Sequence, residues 1–207
     1  MNSLKLCVMT LFHPIVVTEH INRQRDQRFN LLPVLVALAL TLAARLFSIY
    51  FTHYPLSAVS VRNANMLLEC GKLFVPILTW VLASYAMTSI LDGETKFKET
   101  MLFSAYALTP YILFTIPLTL LSRLMDASHA GLYTTLETLI LLWVVLLMIV
   151  ALKEMNGYTI RKTLLVVLLS LFTMVMIWAT VVLLFTISSQ FVSMLWEMYY
   201  EVLYRIA

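Results

Sequence analysis

Residues 132–152 read LYTTLETLILLWVVLLMIVAL, a run in which Glu137 is the one charged side chain. As an α-helix this stretch of 21 residues rises roughly 31 Å, enough to cross a hydrocarbon core about 30 Å thick. A transmembrane barrel strand would be about ten residues long and alternate in polarity. This run is longer and apolar on all sides, which predicts a helix surrounded by lipid or by other helices. Four more runs have the same character, at approximately Phe29–Phe51, Leu73–Leu91, Met101–Leu121 and Thr163–Ser188. The expected fold is therefore all-α integral membrane, with five transmembrane helices.

The rest of the chain agrees with that solvent. Of 207 residues, 61% are hydrophobic and 12% charged, where soluble domains carry about 45–50% apolar and about 25% charged residues. A soluble fold of this size has no way to hide so much apolar surface. The pairs Asp92-Gly93 and Asn156-Gly157 mark turns between consecutive spans. No polar stretch is long enough for a separate soluble domain. Leu6 to Phe12 is too short for a signal peptide and no small-residue cleavage site follows it, while Asn2 excludes N-myristoylation.

The ends predict short interfacial helices. Leu4, Cys7, Val8, Leu11 and Ile15 recur at helical spacing before the basic Arg23–Arg28 stretch, giving a cytoplasmic or interfacial segment over 1–28. The membrane domain then spans 29–188. Over 189–207, Phe191, Leu195, Met198, Val202 and Ile206 make an apolar stripe beside a polar one of Ser193, Glu197, Glu201 and Arg205. With Trp196 and Tyr199 at hand, this reads as an amphipathic helix on the outer face, an anchor or a docking element.

Lys and Arg set the orientation. Lys5, Arg23, Arg25, Arg28, Lys96, Lys98, Lys153, Arg161 and Lys162 fall on one side, and Arg62, Lys72, Arg123 and Arg205 on the other. The positive-inside rule puts the first set, with the N-terminus, in the cytoplasm and the C-terminus outside.

Sites of chemistry are sparse. His13, His20, His53 and His129 are dispersed without metal spacing, and Cys7 and Cys70 have none either and lie on opposite sides, so no metal, disulfide or cofactor is expected. There is no phosphate loop, nucleophile elbow or dinucleotide fingerprint, and no clustered basic face for nucleic acid. An intramembrane charge costs at least a few kcal/mol unless paired or snorkelled, so Arg45 and Glu137 stand out. Arg45 lies six positions before the outer end of its span and Glu137 five after the outer start of the fourth, both roughly 8–9 Å deep. Matched depth and opposite sign predict an ion pair, with Glu69 and Lys72 as competing partners; the alternative has each group reaching the interface separately. Pro110 and Pro117 share a face of the third span and predict kinks, with Thr109 and Thr115 available for the freed carbonyls.

Several segments together are familiar. Phe12-His13-Pro14, the stretch Asp92-Gly93-Glu94-Thr95-Lys96-Phe97-Lys98-Glu99-Thr100, then Tyr106-Ala107-Leu108-Thr109-Pro110-Tyr111, and Trp143 leading to Ala151-Leu152-Lys153-Glu154-Met155-Asn156-Gly157-Tyr158, come in that order. The chain resembles the bacterial branch of the Yip family, the Ypt/Rab-interacting membrane proteins. The resemblance implies a five-helix domain in the plasma membrane with a cytosolic N-terminus and an accessory role, such as one beside a transporter. Eukaryotic members bind Rab GTPases through a longer cytosolic region than the 28 residues preceding the first span here.

Two functions of different class follow. The leading one is a non-enzymatic scaffold, accessory subunit or membrane organiser, with partners in the bilayer; Ala83, Ser84, Ala86, Ser104, Ala105 and Ala107 would permit close helix contacts. The alternative is a small transporter or channel component lined by Arg45, Glu137 and a kinked third span. An intramembrane enzyme comes last, for want of paired carboxylates, a Ser/Lys dyad or a zinc motif.

Overall fold

In the computed structural model the described residues are Met9, Leu11, 13–23, 32–53, Leu56 and 65–206. Leu4, Cys7, Val8, the basic stretch Arg25–Arg28 and Arg62 lie outside them. The helices are α1 (Pro14–Arg23), α2 (Leu32–Phe51), α3 (Met66–Ile90), α4 (Phe97–Ala107), α5 (Thr109–Leu121), α6 (Ala130–Met155) and α7 (Ile160–Ile206). Among the described residues five stretches are long and apolar enough to cross a membrane: α2, α3, Phe97–Leu124, Ala127–Met155 and Ile160–Tyr199. The protein is an all-α, multi-pass membrane protein.

Local chemistry fixes the ends and breaks. Asn65 caps α3, its side chain accepting from the Leu67 amide at 3.0 Å, so the helix begins at Met66, several residues before the purely apolar run. The third span breaks at Leu108. Pro110 has no N–H to give the Tyr106 carbonyl, and the Thr109 hydroxyl donates to that oxygen instead, at 2.6 Å. Helical bonding resumes with the Ile112 amide on the Leu108 carbonyl, at 3.1 Å, and Pro117 sits inside continuous α5.

The third span is the centre of the bundle: 56% of its most apolar window is buried, against 11% for the fifth span. Ala44, Leu108, Tyr111 and Val144 form the middle of the core. The small residues of the sequence reading are spent here, within the chain. Ala83, Ser84, Ser104, Ala105 and Ala107 are buried, and only Ala86 is half-buried, so they bring helices of this protein together rather than lining an outer face.

Of the apolar stripe expected near the N-terminus, Leu11 is buried and Ile15, on α1, is exposed; α1 turns a different face, Val17 and Thr18, into the bundle. Val17 and Thr18 are buried, Val17 among Phe103, Tyr106 and Ala107 of the third span and Leu147, Ala151 and Met155 of α6. At ten residues α1 is about 15 Å long, half a hydrocarbon core.

The C-terminal stripe is not a separate element. No Gly or Pro occurs after Gly157, and α7 runs unbroken for 47 residues, about 70 Å. Its first turns pack Val166 and Val167 against Leu152, Trp80 and Leu91. Ser170, one turn on, is fully buried with a hydroxyl that makes no hydrogen bond.

Candidate functional site

Two polar clusters interrupt this apolar bundle, one towards each end. The first is built on α2, α3 and α6. Arg45 Nε lies 3.2 Å from Glu69 Oε2, Arg45 Nη1 lies 3.6 Å from Glu137 Oε1, and Lys72 Nζ lies 2.9 Å from Glu69 Oε1. Arg45 therefore reaches Glu137, but its closer contact, and its hydrogen bond, is with Glu69. The early start of α3 explains this. Capping at Asn65 carries Glu69 onto the helix, and Lys72 follows three residues later on the same face.

Two cations and two carboxylates form the chain Lys72–Glu69–Arg45–Glu137, which is electrically balanced. Burial grades along it. The Glu69 side chain is 3% exposed and has a cation on each oxygen, while Glu137 is 37% exposed and held by one longer contact. Tyr111, one turn beyond the helix break at Leu108, is buried in one apolar cluster with Ala44, the neighbour of Arg45 on α2. The break at Pro110 thus brings the third span to the ion cluster. A hydroxyl network closes the same end: Thr52 Oγ1 lies 3.4 Å from the Tyr133 hydroxyl, and the His53 amide donates to Ser122 Oγ at 3.2 Å.

The second cluster joins the turns Asp92-Gly93 and Asn156-Gly157-Tyr158. Asp92 and Gly157 both adopt left-handed backbone, with φ of 54° and 61°. The Tyr158 hydroxyl donates to the Leu91 carbonyl at 3.0 Å, Thr95 bonds Asn156 through both its amide and its hydroxyl, and Asn156 Nδ2 donates to the Leu152 carbonyl at 2.9 Å. Burial, then the nearby Asp92 carboxylate, holds the Tyr158 hydroxyl above the usual tyrosine range, which keeps it a donor. Lys162 lies over its ring, 4.4 Å from the centroid. A cavity of about 20 Å³ beside this latch is walled by Ser84, Thr88, Thr95, Ser104 and Asn156, space for about one water-sized group.

Neither cluster has the form of a catalytic centre. Among the described residues no three His, Cys, Asp or Glu side chains stand close enough to hold a metal ion, and Cys70 is a free thiol. What the first can do is fix three helices through charge; what the second can do is lock two turns together.

A family model described as the Yip1 domain matches residues 8–196, from before α1 to deep in α7. No curated protein matches, and no solved structure matches.

Proposed function

The chain belongs to the Yip1 domain family, and from that premise we propose that it works without turnover, as a scaffold or accessory subunit contacting other proteins within the bilayer. One observation carries this reading, the reach of α7. Tyr158 contacts the carbonyl of Leu91 just past the end of α3, and the two helices run antiparallel from there. The 25 residues of α3 therefore accompany α7 only to about Leu183. Beyond it, Phe185, Phe191, Trp196 and Tyr199 are all more than half exposed. An apolar stripe exposed on a helix beyond the described bundle is a surface from which a partner helix would gain.

The likeness of Asp92–Thr100 and Ala151–Tyr158 to the bacterial branch supports a plasma-membrane protein in this proposal, and the excess of Lys and Arg on one side supports a cytoplasmic N-terminus. Gentle solubilisation from the native membrane should recover the same membrane partner repeatedly. Replacing Phe191 and Trp196 by Ser should release it, and recovery unchanged by those substitutions would count against α7 as the contact.

Orientation is testable by itself. Single cysteines near Asp126 should react with an impermeant thiol reagent applied outside, and those near Lys96 and Gly157 should not. Outside labelling at Lys96 would reverse the topology.

A second reading has its own support: the third span is broken at Leu108, as helices at transporter binding sites are, and Tyr111 beyond the break packs with Ala44, next to Arg45. Solute flux in liposomes that disappears with Glu137→Gln would favour it over the scaffold.

A further inference from the structure

The small cavity beside the turn latch is lined by polar side chains from three places. Ser84 and Thr88 come from α3, Thr100 and Ser104 from α4, and Thr95 and Asn156 from the two turns. No charged side chain lines it. Its volume of about 20 Å³ exceeds the roughly 10–15 Å³ that a single water requires.

Most of the hydroxyl protons in these walls are already committed. Ser84 Oγ donates to the Trp80 carbonyl at 2.7 Å, Thr88 Oγ1 to the Tyr85 carbonyl at 3.0 Å and Thr100 Oγ1 to the Lys96 carbonyl at 3.4 Å. The Thr95 hydroxyl donates to Asn156 Oδ1. A hydroxyl carries one proton and two lone pairs, so each of these oxygens keeps acceptor capacity. Ser104 is different. It is 4% exposed and borders the cavity, yet among the described residues nothing hydrogen-bonds its hydroxyl. Ser170 is also buried and unbonded, but it does not line this space. Leaving a buried hydroxyl unbonded is costly, and native interiors satisfy such groups with protein or with ordered water.

We propose that this cavity is a hydration site for one water, which bonds the Ser104 hydroxyl and bridges it to a hydroxyl oxygen of α3. Three features select water. The space fits one small guest. Walls rich in spare lone pairs call for a guest that brings protons, and water brings two. A cation would have no countercharge among the lining residues, and in a bundle set in lipid that leaves a buried charge uncompensated. The water ties the third span, through Ser104, to α3 beside the turns that Thr95 and Asn156 hold together. It is independent of any partner on α7.

The test is a crystal structure of the full chain, grown from a lipid mesophase, at a resolution that shows ordered water. One peak is expected in the cavity, within hydrogen-bond distance of Ser104 Oγ and of at least one hydroxyl oxygen of α3, with about three hydrogen bonds in all. Ser104→Val removes the hydroxyl and puts a methyl group in its place, so the peak should be lost in that variant. The unsubstituted chain decides by itself if Ser104→Val fails to fold. A cavity without a peak in the unsubstituted chain would overturn the site. A peak retained in Ser104→Val would remove Ser104 as its partner and overturn the proposal as well. Several oxygens closer than about 2.6 Å to the peak would identify a cation, and the assignment of water would then be wrong.

Discussion

Removing the Glu69 carboxylate is expected to cost about 3–5 kcal/mol of unfolding free energy, the range for breaking a buried ion pair from one side. Glu69 is 3% exposed and receives Arg45 on one oxygen and Lys72 on the other. With Glu69→Ala, Lys72 turns outward to solvent, since it is 64% exposed, but Arg45 is left in the bundle with only Glu137 at 3.6 Å. Arg45→Leu should cost a similar amount, because it strips Glu69 of its inner cation. Glu137→Gln should cost much less, at most about 1 kcal/mol, since that side chain is 37% exposed and its one contact is long. The double variant Arg45→Met with Glu69→Met should recover most of the loss, as apolar replacement of both partners removes the unpaired charge. Denaturation of the purified chain, followed by circular dichroism, reads all four. If Glu137→Gln proves as damaging as Glu69→Ala, the order of partners drawn from the distances is wrong.

That order shows where sequence reading reaches and where it stops. Depth along a span is countable, because each residue adds about 1.5 Å, so Arg45 and Glu137 could be matched by level alone. Which faces meet depends on how helices rotate and which neighbours they choose, and no single span encodes that. The apolar run starts at Leu73 and so ranks Glu69 only as a competitor; the Asn65 cap is the signal that carries the helix back to Met66. The five spans were legible since each run is apolar all round. The continuity of α7 was legible too, in the lack of Gly and Pro after Gly157, yet a change from uniform to striped polarity suggested a boundary at 189. For the N-terminal segment, periodicity pointed to Leu11 and Ile15, but Ile15 is exposed and it is Val17, outside that stripe, that meets Phe103 and Leu147.

The turn pairs were the opposite case: their positions were plain and their mutual contact was hidden. Gly93 is expected to tolerate no side chain. A Cβ there would stand 2.6 Å from both Asn156 Oδ1 and the Tyr158 hydroxyl, and 2.8 Å from the Thr88 carbonyl oxygen. The first two can shift; the third is backbone in the last turns of α3, already accepting the Gly93 amide at 2.8 Å. Gly93→Ala should therefore cost about 2–3 kcal/mol, in the range for overpacking. Gly131→Ala, in open space in the first turn of α6, should instead be neutral or stabilise by about 0.5–1 kcal/mol. Tyr158→Phe in the Gly93→Ala background should recover only part of the loss, since Asn156 and the Thr88 carbonyl stay in place. The damage should be local first. Tyr158, Leu91, Trp80 and Val166 share one cluster, so forcing the turns apart loosens the seat of α7 on α3, and Trp80 emission should shift before helix content falls. A Gly93→Ala protein within about 0.5 kcal/mol of its parent, with unchanged Trp80 emission, would mean that the two turns do not interlock.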